Sequence, residues 1–142
     1  MDFWDAIKNG NLGAVKNRVE SILANPEMNI YPRLFASEFQ FAVSKGFNEI
    51  AIYLAGINDD VLHAFRYDAL VIAASQNNLE IVKLIIGNFI CKFEENDNFG
   101  MAYRMAVKNN CSEVVDFLLN HCDIKFKISK YARSGKQPEP DD

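Results

Sequence analysis

His63 and His121 are the only histidines of this 142-residue chain, and Cys91, Cys111 and Cys122 its only cysteines. Imidazole and thiolate side chains hold zinc when they recur at short regular spacing, as in Cys-x-x-Cys or His-x-x-x-His. Neither pattern occurs, so no metal ligand is assigned. His121-Cys122-Asp123 puts a base, a thiol and an acid side by side. A working nucleophile needs its base within hydrogen-bond reach and a third group orienting that base. Consecutive side chains after a helix diverge, and no catalytic residue is assigned. Glu94-Glu95-Asn96-Asp97 gathers carboxylates but lacks the regular spacing and terminal Glu of a calcium loop, and reads as a solvated turn. No glycine-rich phosphate loop is present, so no cofactor is expected. Cys111 and Cys122 are expected to fill small spaces between packed helices.

Bulk composition narrows the classes further. Apolar residues make up 49% of the chain and charged residues 24%, the balance of an ordinary globular protein. The net charge of −4 argues against a general nucleic-acid binder, which normally carries a basic excess. The strongest apolar run, Leu79–Ile86, is far below the ~20 residues that cross a bilayer. The N-terminal Met1-Asp2-Phe3-Trp4-Asp5 is acidic and has no signal-peptide pattern. An odd set of widely spaced cysteines suits a reduced interior. The expectation is a monomeric cytoplasmic protein that neither enters membranes nor binds nucleic acid.

The residues that remain must be positioned by repeated elements. Phe3-Trp4-Asp5-Ala6-Ile7-Lys8-Asn9-Gly10 aligns with Phe39-Gln40-Phe41-Ala42-Val43-Ser44-Lys45-Gly46. Leu70-Val71-Ile72-Ala73-Ala74-Ser75-Gln76-Asn77 and Tyr103-Arg104-Met105-Ala106-Val107-Lys108-Asn109-Asn110 follow the same rule. A bulky apolar residue is followed by Ala, then by Gly or Asn. A second pattern comes after each, clearest in Leu79-Glu80-Ile81-Val82-Lys83-Leu84-Ile85-Ile86 and Ser112-Glu113-Val114-Val115-Asp116-Phe117-Leu118-Leu119. Apolar residues spaced by one helical turn give a stripe. Small Ala lets helices approach, and Gly or Asn accepts the left-handed conformation that ends a helix. Ser37 with Gln40 reads as a capping box, and Asp68 as an N-cap. Each unit is a helical hairpin that cannot bury its own apolar face, so neighbours must stack. The prediction is an all-α solenoid of about eight helices with Ala6, Ala42, Ala73 and Ala106 buried.

The step of 36, 31 and 33 residues between those alanines, and the pattern Ala-x-x-x-Gly/Asn-x-x-Glu-Ile-Val-x-x-Leu-Leu, resemble the ankyrin repeat. The resemblance covers about residues 2–124. Asp97-Asn98-Phe99-Gly100 looks like that family's hairpin tip, and His121-Cys122-Asp123 stands where it often has Gly-Ala-Asp. No unit carries Thr-Pro-Leu-His, and the Ser21–Ala36 link is long and holds Pro26 and Pro32. The implied repeat domain is 1–132, with units at about 2–30, 37–66, 68–97 and 98–124. In the first unit Asn17 and Arg18 replace the apolar Leu84–Ile85 and Phe117–Leu118 of later units, as a terminal repeat requires. Residues 124–132 are expected to cap the last unit, as a strand or as a helix. Residues 133–142 read as a disordered tail.

The family's stacks resemble a cupped hand, with first helices as palm and hairpin tips as fingers. By position the palm candidates are Lys8, Asn9, Ser44, Lys45, Ser75, Gln76, Lys108 and Asn109. The finger candidates are Tyr31, Arg33, Phe65, Arg66, Asn96 and Phe99, with Glu94 beside them. The resemblance implies a non-enzymatic module that binds another protein. Three palm lysines, set against Glu20, Glu49, Glu80, Glu113 and Asp116 on the second helices, imply an acidic partner segment with apolar anchors. The alternative is a small regulatory protein that blocks another protein's site. An enzyme with an unrecognised pocket and a nucleic-acid binder rank below both.

Overall fold

The computed structural model describes residues 2–27, 34–87 and 98–120. Every regular element among them is helical, as the repeat pattern predicts. The helices are α1 (Phe3–Lys8), α2 (Leu12–Leu23), α3 (Ala36–Lys45), α4 (Asn48–Ile57), α5 (Ala64–Ser75), α6 (Leu79–Gly87), α7 (Asn98–Lys108) and α8 (Ser112–Leu119). A short 3-10 helix, Asp59–His63, follows α4. The chain divides into two compact units, Met1–Ala64 and Phe65–Asp142. In the first, α1 packs on α2 and α3 on α4, while α1 meets α3 and α2 meets α4. In the second, α7 packs on α8 and α8 on α6.

Burial follows the helical period. The pairs Val15 and Val19, Phe39 and Val43, Ile50 and Leu54, Ile81 and Ile85, and Val114 and Leu118 are all buried. Each full burial of such a side chain contributes about 1.5–3 kcal/mol. Ala6, Ala42, Ala73 and Ala106 are each 0% exposed, so the repeat anchors lie between helices as expected.

The spacing from Ala to Gly or Asn has a hydrogen-bonding cause. Gly10, Gly46, Asn77 and Asn110 have φ of 65°, 77°, 58° and 60°. The N–H of the residue after each donates to the carbonyl of its anchor alanine. These bonds are Asn11 to Ala6 (3.0 Å), Phe47 to Ala42 (2.9 Å), Asn78 to Ala73 (2.9 Å) and Cys111 to Ala106 (2.8 Å). The left-handed residue itself donates one turn back, for example Gly10 to Ile7 at 3.0 Å. Both bonds together make a Schellman ending, repeated in all four hairpins. The anchor alanine thus packs with its methyl and closes the helix with its carbonyl.

The residue after that turn also opens the second helix. The Asn11 side chain accepts from the Ala14 N–H at 3.1 Å and so caps α2. Asn78 accepts from the Ile81 N–H at 3.4 Å. Phe47 and Cys111 hold the same position without a side-chain cap. Replacing Asn11 with Ala is expected to lower stability by ~1 kcal/mol in urea unfolding, with Asn11→Ser close to wild type.

Some starts differ from the sequence reading. The capping box of Ser37 and Gln40 is not formed, because α3 begins two residues earlier than that box requires. Its N-cap is Phe35, left-handed at φ 71° and making no side-chain cap bond. Packing outweighs capping here: Phe35 is buried and meets the Phe3 ring edge-on, with centroids 5.6 Å apart. Asp68 lies inside α5 rather than ahead of it. The first turn of α5 is strained, with Phe65 at φ 56° and Tyr67 at φ 66°, values that bulky residues rarely adopt. Asn98, Phe99 and Gly100, expected as a hairpin tip, are the first turn of α7.

Asn17 and Arg18 are exposed where the later units bury Ile85 and Leu118, as a terminal repeat predicts. Leu84 and Phe117, at the position of Asn17, are half-buried. The cap at 124–132, the tail at 133–142, Cys91, Glu94, Asn96, His121 and Cys122 lie outside the described residues.

Candidate partner-binding face

The eight palm candidates occupy one structural position, the C-terminal end of a first helix. Lys8 ends α1, with Asn9 its C-cap. Ser44 and Lys45 end α3, Ser75 ends α5, and Lys108 ends α7. Gln76 and Asn109 follow directly. All are exposed except Ser75, which is half-buried.

Their position explains the lysines in part. A helix C-terminus carries partial negative charge, which favours a cation in its last turn. Lys8, Lys45 and Lys108 all stand in last turns, while Asp5 and Glu38 stand in the first turns of α1 and α3. Thus α1 and α3 carry an acid in the first turn and a lysine in the last, α7 carries the lysine without the acid, and α5 carries neither. The basic side of the sequence contrast between first and second helices is thus carried by the last turns of α1, α3 and α7. Glu20, Glu49, Glu80, Glu113 and Asp116 are exposed on the second helices.

Several palm polar groups bond within the fold. The Ser44 hydroxyl donates to the Phe41 carbonyl at 2.7 Å, and the Ser75 hydroxyl to the Ile72 carbonyl at 2.8 Å. Asn109 donates through Nδ2 to the Ser75 carbonyl at 2.9 Å, tying the fourth hairpin to the third. The Cys111 thiol lies 3.7 Å from the same oxygen. That carbonyl is in the last turn of α5, where no intrahelical donor exists, so the next hairpin satisfies it. Cys111 is buried and fills the space between these units, as expected.

Burial pushes the Cys111 thiol up, against a smaller lowering by a backbone hydrogen bond at Asn77. The neutral thiol is therefore favoured by folding. Its stabilising contribution is complete below the unfolded thiol value and is lost as pH rises through the raised folded value. Urea stability should fall above about pH 8.5, and Cys111→Ala should lessen that fall. Tyr53 is raised as well, first by burial and then by the Glu20 carboxylate, and adds loss only at higher pH.

Of the finger candidates, Phe65 is 41% exposed in the strained first turn of α5. Arg66 belongs to α5 and Phe99 to α7. Tyr31, Arg33 and Asn96 lie outside the described residues.

Two features of the site escaped sequence reading. The Trp4 ring, 38% exposed on α1, meets Phe41 of α3 edge-on, with centroids 5.6 Å apart at 86°. The Lys45 ammonium lies over the Phe41 ring, 5.7 Å from its centroid. The available signal was spacing: Trp4 and Lys8, like Phe41 and Lys45, stand one helical turn apart. The second feature is a recurring contact between second helices. Lys16 lies over Tyr53 at 5.5 Å, and Lys83 over Phe117 at 5.8 Å. Each pair joins neighbouring hairpins at the same repeat register. Phe117 is thus partly covered by Lys83, from within the repeats.

Among the described residues no group of three or more His, Cys, Asp or Glu side chains could hold a metal ion. A cavity of about 320 Å³ lies at the hairpin turns of the first unit, walled by Gly10, Leu12, Gly46 and Phe47. Its one ionisable side chain is Glu49, which by itself makes no acid–base pair. No helix among the described residues is long and apolar enough to cross a membrane.

No curated protein and no solved structure matches the chain. The family model for ankyrin repeats, in three copies, matches residues 39–128, well over half of the sequence. The first hairpin precedes that match, yet closes α1 with the same turn at Gly10 and the same bond to its anchor alanine. On the family match, the chain belongs to the ankyrin-repeat family.

Proposed function

We propose that this protein binds a partner protein through the C-terminal ends of its first helices, and that the partner offers an acidic segment with apolar anchors. Ankyrin repeats generally mediate protein–protein interaction, and proteins built from them are typically non-enzymatic. The observation that carries the finer reading is the exposure of Lys8, Lys45 and Lys108 at equivalent helix ends. Helix polarity makes those positions favourable for lysine, and the same charges remain available to an approaching carboxylate. Like charge recurring at equivalent helix ends speeds encounter with an oppositely charged segment. The net charge of −4 supports a protein partner over nucleic acid.

The test begins with affinity purification and mass spectrometry to recover a partner. Two variants of the full chain are then compared against it. Lys45→Glu with Lys108→Glu should slow association and weaken binding, with the melting temperature nearly unchanged. Glu80→Lys with Glu113→Lys should leave binding close to wild type. Weakening by the second variant alone would assign binding to the second helices and overturn the reading.

A further inference from the structure

The first unit carries an aromatic and cationic patch that the repeat pattern does not require. The position of Trp4, two residues before the anchor alanine, holds Gln40, Val71 and Arg104 in the other hairpins. The position of Phe41 holds Asp5, Ile72 and Met105. Trp4 and Phe41 thus meet ring to ring across adjacent hairpins at a place where the repeat fixes no residue type. Trp4 remains 38% exposed, so part of the ring pair is open to a covering apolar side chain. Lys45 folds over Phe41, while Lys8 stands exposed one turn beyond Trp4. Among the described residues neither ammonium is paired with a carboxylate. The acids of these helices, Asp5 and Glu38, belong to the first turns, Glu38 seven residues before Lys45 and Asp5 three residues before Lys8.

Resting on the proposed protein-binding function, we propose that Trp4 and Phe41 form an anchor site for an extended acidic segment with the pattern apolar–any–Asp/Glu. Its apolar side chain covers the ring pair, and its carboxylate reaches Lys8 and Lys45. The spacing follows from geometry. One helical turn from Trp4 to Lys8 advances about 6 Å along α1. An extended segment advances about 3.3 Å per residue, so two residues span that distance. Charge sets the direction: the carboxylate lies toward the Gly10 and Gly46 ends, where Lys8 and Lys45 attract it. Partly exposed Trp is also the residue type most often found to carry interface energy.

A random-peptide display library selected on the full-length protein tests this. Selected peptides should be enriched in the apolar–any–acid pattern. They should lose at least about tenfold in affinity for Trp4→Ser, and for the double variant Lys8→Glu with Lys45→Glu. Circular dichroism and the melting temperature check that the variants fold. Should Trp4→Ser unfold the chain, the charge-reversed double variant carries the test by itself. A peptide whose acid is changed to Lys should recover affinity for that variant, which lost folding cannot produce. Peptides that weaken with Lys108→Glu but not with the Trp4 or Lys8 and Lys45 changes would overturn the anchor and leave the first-helix reading standing. Peptides sensitive only to Glu80→Lys with Glu113→Lys would overturn both. Failure to enrich any peptide, or binding of single-stranded RNA to the patch with a steep loss on adding salt, would also overturn the anchor.

Discussion

Replacing Ala73 with Leu is expected to destabilise the protein by ~1–3 kcal/mol, read as a lower urea midpoint with an unchanged slope. Ala73 is 0% exposed, so the added atoms have no empty space to enter. Its carbonyl accepts the Asn78 N–H at 2.9 Å in the bond that ends α5. Backbone movement that made room for Leu would therefore loosen the turn as well as the packing. The exposed neighbour Gln76 is the control, since Gln76→Leu should stay within about 0.5 kcal/mol of wild type. Equal effects at the two positions would mean that the anchor alanine is not confined between helices.

Gly10→Ala is expected to cost more than Gly46→Ala, although both glycines occupy the same turn position. At either site a left-handed φ penalises a side chain by about 1–2 kcal/mol. A Cβ at Gly46 would meet nothing within 4 Å. At Gly10 it would approach the Phe47 ring at 3.2 Å, forcing that ring to shift. Thermal or urea unfolding of the two variants ranks them directly. Equal losses would show that conformation alone governs these turns, and a larger loss at Gly46 would overturn the ranking. Asn77→Gly and Asn110→Gly supply the converse, with stability equal to or above wild type, because Gly takes φ of 58° and 60° without strain.

The sequence by itself determined the all-α class, the eight α-helices found among the described residues, the buried alanines and the left-handed turns that follow them. It could do so because each signal is local and occurs four times. A helical stripe needs only the spacing of apolar residues, and a Schellman ending needs only Gly or Asn at a fixed distance from Ala. Helix starts were less legible. The capping box at Ser37 and Gln40 was locally sound, yet burial of Phe35 against Phe3 set the start of α3 instead. Asp68 likewise fell inside α5. A cap contributes about 1 kcal/mol, and burial of an aromatic ring contributes more. The palm lysines were visible as a recurring residue type, but their place in last turns required the helix ends to be known. Tertiary structure alone decided which surface residues meet. Trp4 and Phe41 are far apart in sequence, as are Lys16 and Tyr53, Lys83 and Phe117, and Asn109 and the Ser75 carbonyl. Such pairs depend on how one hairpin is seated on the next, and that seating arises from the summed packing of both helices rather than from the spacing within either.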